Sequence, residues 1–208
     1  MKLVSGLGDD YAPLIERARA SRALLIVENE SDARILEAIS TTCGYRWPPQ
    51  LAILASTDAH KDRLKFYRTL LEAIDGLKAV SLRDRDTKEL ACVDAATLRE
   101  KGIETKGYPD FLPLTWRRRE IENYALVPSS IASLMGQEVT ETWWRTQGWA
   151  WPQDPKIETH LQDCDIKKSL GKLLGRTSVG DFLCGLTLDD VHPDLKMAAK
   201  AICDLSSS

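Results

Sequence analysis

The chain has no Cys-x-x-Cys pair. Its five cysteines, Cys43, Cys92, Cys164, Cys184 and Cys203, are odd in number and far apart. Neither a disulfide framework nor a structural zinc site follows from that spacing, so reduced thiols in a cytoplasmic protein are expected. His160 and Cys164 would face one another across a helical turn, but no further metal ligands accompany them. The opening stretch MKLVSGLGDDYAPLIERAR lacks the apolar run of a secretory signal. No segment reaches about 18 uninterrupted apolar residues, which excludes a helical membrane span. Internal repeats are absent, and the only low-complexity stretch is the closing Ser206-Ser207-Ser208. Excess charge is missing too: 28 Lys and Arg stand against 31 Asp and Glu, a net charge of −3. That balance argues against a polybasic nucleic-acid coat or membrane-surface binder. It leaves room for a nuclease, because a site that holds cations is itself acidic.

What remains is ordinary for a soluble globular protein: 208 residues, 43% apolar and 28% charged, enough for one domain with its own core. Asp9 and Asp10 precede an amphipathic stretch through Ala20 that reads as a leading helix. Ala23-Leu24-Leu25-Ile26-Val27 is almost wholly apolar, as a strand buried on both faces should be. A helix is expected over 31–42, a strand over 51–54, a helix over 60–74 and a strand over 77–82. This βαβαβ order predicts an α/β fold whose central parallel sheet is flanked by helices. A helix over 93–101 and a short edge strand over 111–114, where Pro113 is tolerable, complete the sheet region. Helices are expected over 129–135, 140–147, 165–174 and 194–205. The chain thus divides into a leading helix (1–22), a catalytic core (23–127) and a mostly helical appendage packed on it (128–208).

In an open parallel sheet, ligands bind outside the carboxyl ends of the strands. The first strand runs into Glu28, with Asp32 in the first turn of the next helix. The third runs into Arg83-Asp84-Arg85-Asp86. Alternation along extended chain would point Asp84 and Asp86 the same way. Carboxylates gathered at one edge repel each other unless some are protonated or hard cations neutralise them. A second acidic pair, Glu120 and Glu122, lies in WRRREIENYALVP beside Arg117, Arg118 and Arg119. Guanidinium groups next to a cation site suit phosphate, which they meet as a fork.

VENESDARIL resembles the first motif of the TOPRIM nucleotidyl-transfer and hydrolysis domain, and LRDRD resembles its Asp-x-Asp motif. REIENYAL is similar to the Glu-Ile-Glu-Asn-Tyr stretch of the OLD (overcoming lysogenization defect) nucleases. The resemblance covers about residues 23–125. It implies a TOPRIM-like, Rossmann-like sheet and a divalent-metal-dependent endonuclease. It also implies an ABC-type ATPase partner in cis or in trans. The chain carries no P-loop, since Gly171-Lys172 is followed by Leu173 with no phosphate cradle before it. Asn29 departs from the family, standing where glycine is usual. Asn tolerates unusual backbone angles, so the turn can survive. Gly171-Lys172-Leu173-Leu174 is similar to a turn that carries a transition-state lysine in such nucleases, which makes Lys172 the candidate and Lys168 its reserve.

On this reading Glu28, Asp32, Asp84 and Asp86 would hold one Mg²⁺, and Glu120 or Glu122 would help hold a second, with Mn²⁺ or Ca²⁺ able to occupy the same sites. Glu28, Asp84 and Lys172 would be catalytic. Arg83, Arg85, Arg117, Arg118 and Arg119 would position a DNA backbone without reading bases. A TOPRIM ribonuclease acting on structured RNA and a non-catalytic nucleic-acid or partner-binding module are the alternatives. A haloacid-dehalogenase-like phosphatase fits poorly, because the acidic pair follows the third strand and Lys88 stands where Thr or Val is usual. Trp143, Trp144, Trp149 and Trp151 suggest a helical mini-core of packed rings. Stacking on unpaired bases or docking of a partner domain stays open beside it.

Overall fold

The computed structural model describes residues 9–149 and 165–206. Four parallel strands form one sheet in the order β2-β1-β3-β4: β1 (Ala23–Val27), β2 (Ala52–Ala55), β3 (Lys78–Arg83) and β4 (Phe111–Thr115). Leu24 pairs with Ala52 on one side and Ala79 on the other, so β1 is central and all five of its residues are buried. Burying such side chains contributes about 1.5–3 kcal/mol each for Leu, Ile and Val, which explains the unbroken apolar run.

Helices cover both faces. On one face Leu24, Ile26, Ala79 and Phe111 meet Ile15 and Ala18 of α1 (Ala12–Ser21) and Tyr67 and Leu70 of α3 (His60–Leu71). On the other, Leu25, Val27, Val80 and Leu82 pack with Ile35, Leu36 and Ile39 of α2 (Glu30–Thr42). The two crossover helices lie on opposite faces because the chain reverses its direction across the sheet after β2, as right-handed crossovers require.

The C-terminal half is helical: α4 (Pro128–Met135), α5 (Gln137–Thr146), α6 (Lys167–Leu174), α7 (Val179–Cys184) and α8 (Pro193–Cys203). It shares the α2-side core, through Leu170, Leu183, Leu195 and Ile202 among others. Trp144 is fully buried and meets Trp143 and Trp149 edge-on at 5.9 and 5.4 Å, which is the ring mini-core expected from composition. Trp151 lies outside the described residues, as do His160 and Cys164. Cys43, Cys92, Cys184 and Cys203 are free thiols. Among the described residues no helix is long and apolar enough to cross a membrane.

Three expectations need correction. Residues 93–101 are not a helix. Asp94 Oδ1 accepts the Ala96 and Thr97 N–H groups at 3.1 and 2.9 Å, an alternative to helical bonding that forms a tight turn. Val93 then pairs antiparallel with Glu100, Arg99 bridges to Leu114, and the segment covers the free edge of β4. α3 stops at Leu71 rather than Ile74, although Ile74 still donates to Leu70 O at 2.9 Å and stays in the core. The short α7 has no counterpart in the sequence reading. Ser178 caps it by accepting the Asp181 N–H at 3.0 Å, and six residues are too few for a clear helical period.

Candidate functional site

The strand order reverses between β1 and β3, and an open sheet parts its loops at such a point. Glu28 follows β1 there and Asp84 follows β3. The strand ends are tied together from beneath by Arg63 of α3, whose side chain is buried. Its Nη1 donates to Leu82 O at 2.8 Å and reaches Ile26 O at 3.4 Å, and its Nη2 donates to Ser56 O beyond β2. One guanidinium thus donates to carbonyls from three neighbouring strand ends and ties them together. Beside it His60 bridges β3 and β4, with Nδ1 2.8 Å from Ser81 Oγ and Nε2 3.0 Å from Leu114 O. Burial holds that imidazole well below its usual pKa, so it is a neutral strut.

Four acids converge above this platform. Asp32 is the third residue of α2 and accepts the Asn29 N–H at 2.9 Å, so helix capping aims its carboxylate back at the strand end. Asp84 N–H reaches Glu28 Oε1 at 3.3 Å, and Asp84 Oδ1 accepts from Ile121 N–H at 3.3 Å. That contact seats the 3₁₀ turn Ile121–Ala125 on the β3 end and brings Glu122 to the cluster. Burial, then the charges of Glu28, Asp32 and Glu122, raise the Asp84 pKa from 3.8 to about 8, against the pull of Lys167. Burial also raises Asp32, to about 6, despite the Asn29 hydrogen bond, and Glu122 and Glu28 push the same way. Asp84 is therefore largely protonated at neutral pH, because the site cannot hold all its negative charge.

The cations in place are Lys167 and two arginines. Lys167 Nζ lies 2.6 Å from Glu120 Oε2 and 3.2 Å from Glu122 Oε1. Burial opposes its charge, yet the two carboxylates overcome that and raise its pKa. Arg83 Nε stands 3.3 Å from Glu28 Oε1, and Arg119 Nε 3.6 Å from Glu120 Oε1. These are charge contacts off the hydrogen-bond direction. Arg83 Nε, Arg119 Nε and Glu122 Oε2 are buried without a hydrogen-bond partner, whereas Glu120 Oε2 is buried against the Lys167 ammonium.

The remaining candidates fall elsewhere. The alternation expected to pair Asp86 with Asp84 ends with β3 at Arg83. Asp86 adopts a left-handed φ of 53° and is exposed, and its N–H donates to Arg119 O at 3.0 Å. Lys172 and Lys168 do not reach the acids. They lie four residues apart on one face of α6 and line a separate cavity with Trp143, while Lys167 lies about 100° around the helix. Arg85 is buried and donates to Arg117 O and Lys88 O. Arg117 grips Asp194 of α8 with two donors, and the Tyr124 hydroxyl donates to the same carboxylate at 2.6 Å. Arg118 is buried over the Tyr124 ring and donates to Asn123 O. These three arginines fasten the EIENY turn to the fold, and only Arg83 and Arg119 flank the acids. Asn29 is extended, at φ −133°, so the position needs no unusual backbone tolerance.

Sequence reasoning missed Lys167 and Arg63. A weak signal existed for Lys167, since its neighbour Lys168 was already a candidate and only helix phase separates them. Arg63 looked like one more charge on an amphipathic helix.

Among the described residues no group of three or more His, Cys, Asp or Glu side chains is disposed, as it stands, to hold a metal ion. The chemistry of the donor set nevertheless fits a hard cation. It offers a buried carboxylate oxygen without a hydrogen bond, Glu122 Oε2, and an acid, Asp84, whose pKa is raised by burial and by the neighbouring carboxylates. Comparisons of the chain with known protein families, with curated proteins and with solved structures find no match.

Proposed function

We propose that the chain is a divalent-metal-dependent endonuclease with a TOPRIM-like core, hydrolysing phosphodiester bonds of DNA. The observation that carries this reading is the convergence of Glu28, Asp32, Asp84 and Glu122 at the sheet's switch point, where burial and mutual repulsion raise the Asp84 pKa. Glu28, Asp32 and Asp84 would hold one Mg²⁺ or Mn²⁺, and Glu120 and Glu122 would serve a second. Such ions polarise the phosphoryl group and supply a water acidic enough to attack it. With a cation held there, Asp84 would act as a ligand in its deprotonated form. Lys167, with Arg83 and Arg119, is placed to meet phosphate oxygens and offset the charge that builds on them. The Arg63 and His60 struts hold the strand ends, and so the acids, in register. Asp86 sits at the rim, and Lys172 and Lys168 have no part in the chemical step. An ABC-type ATPase, in cis or in trans in the cytoplasm, belongs to the same proposal through the OLD resemblance.

The test is incubation of supercoiled plasmid, single-stranded DNA and tRNA with the protein in Mg²⁺, in Mn²⁺ and in EDTA. Cleavage of DNA that needs the ion and is lost in folded Asp84→Ala is the expected result. Cleavage of tRNA alone would replace this reading with the ribonuclease. Full activity of Asp84→Ala would reject the site.

A further inference from the structure

α6 presents two faces to two surroundings. Lys167 turns to Glu120 and Glu122, whereas Lys168 and Lys172 line a cavity of about 600 Å³ together with Trp143, Gln147 and Asp165. Among the described residues neither of these two ammonium groups makes an ion pair or a hydrogen bond. Among the described lining residues the one carboxylate is that of Asp165, so these residues are net positive. Side chains four apart on a helix stand one above the other, about 5–6 Å apart at Cβ, a spacing that two neighbouring phosphates of a nucleic-acid strand can meet. The Trp143 ring is partly exposed and held edge-on by Trp144 at 5.9 Å and by Trp149 at 5.7 Å. It is therefore a large, fixed aromatic surface beside two unneutralised cations. That combination is what proteins use to hold an unpaired base and its phosphates.

We propose that this cavity binds a single-stranded segment of nucleic acid, with an unpaired base against Trp143 and successive phosphates on Lys168 and Lys172. The inference rests on the nuclease reading and adds to it a substrate class, strands with unpaired bases next to the scissile bond. Lys167 and Lys168 are consecutive, so a strand held at the acids passes onto this face within one residue of α6. A blunt duplex keeps its bases stacked and offers Trp143 no free ring face.

The test is fluorescence anisotropy of a fluorescein-labelled twelve-nucleotide oligothymidylate in EDTA, which keeps cleavage out of the measurement. The Lys168→Gln/Lys172→Gln double variant changes two exposed positions and leaves the acids intact. It is expected to bind about tenfold or more weakly, with the slope of log affinity against log salt shallower by about 1.4, or 0.7 for each phosphate left without its lysine. Trp143→Leu, checked by its melting curve, is expected to weaken the single strand by about tenfold and a blunt duplex of equal length far less. Wild-type affinity in the double variant overturns the proposal. So does a duplex bound as tightly as the single strand by both the wild type and Trp143→Leu. Failure of the wild type to bind any nucleic acid would sink the nuclease reading along with it. Retained binding in the variants removes this cavity alone.

Discussion

Replacing Asp84 with Asn should reverse the order of stability of the two proteins between acid and alkaline pH. The residue is 8% exposed, and its carboxyl pKa rises from 3.8 to about 8 through burial and the charges of Glu28, Asp32 and Glu122. A carboxyl whose pKa is raised by folding keeps its proton in the folded state after the unfolded chain has lost it. Its contribution to stability is full below about pH 4 and is lost progressively as pH rises to about 8. At about 1.4 kcal/mol per pKa unit, the ceiling is on the order of 6 kcal/mol. Water entry and side-chain relaxation in the alkaline protein reduce the readable change to roughly 2–4 kcal/mol. Asn keeps the shape, and its amide oxygen can still accept from Ile121 N–H, but it never ionises. The measurement is urea unfolding in EDTA at pH 5, 7 and 9, followed by tryptophan fluorescence. The wild-type minus Asp84→Asn difference cancels the titration of His60 and of the exposed acids. It is expected to fall steadily with pH, leaving Asp84→Asn the more stable protein at pH 9. Added Mg²⁺ should restore the wild type there and leave the variant unmoved, because ligand binding stabilises only the form that binds it. A pH-independent difference, or a variant less stable at pH 9, would refute the buried, crowded carboxyl.

Other outcomes follow from the same contacts. Lys167→Met removes the ammonium that spans Glu120 and Glu122, so Mn²⁺ should bind about tenfold more tightly at pH 9, where Asp84 is ionised, while cleavage slows; electron paramagnetic resonance titration reads the affinity. Arg63→Met leaves the carbonyls of Ile26, Leu82 and Ser56 without their shared donor and should cost about 3–5 kcal/mol in urea unfolding; a loss below about 1 kcal/mol would show that the strut is dispensable. Asp194→Asn weakens the grip on Arg117 and Tyr124 and should cost about 2–4 kcal/mol, with Arg117→Met/Asp194→Asn costing less than the sum of its two single variants in a double-mutant cycle.

Patterns that live within a few residues were legible in the sequence. The unbroken apolar run of β1, the crossover order that makes the sheet parallel, and Pro113 at an edge all follow from period and composition. Glu28, Asp32 and Asp84 were legible for a related reason. A residue just past a strand, or in the first turn of the helix that follows, has its position fixed by local geometry alone. The 93–101 segment misled because Asp94 can bond its own backbone two and three residues on. That choice is settled by the free edge of β4, where the Glu100 N–H donates to Pro113 O and Arg99 bridges to Leu114.

The partner of a charge cannot be read that way. Arg117 and Arg119 are two residues apart in one basic run, yet one is bound to Asp194 in α8 and the other flanks the acids. Lys167 and Lys172 share one helix, and its rotation alone decides which of them meets Glu120. By itself the sequence determined the sheet, its order of crossovers and three acids at its carboxyl edge, because hydrophobic periodicity and capping act over a turn or a strand. Only the tertiary structure decided which cations neutralise those acids and which are spent on the fold. Long flexible side chains take their partners from whatever packing brings within a few ångströms, and that separation in space bears no fixed relation to separation along the chain.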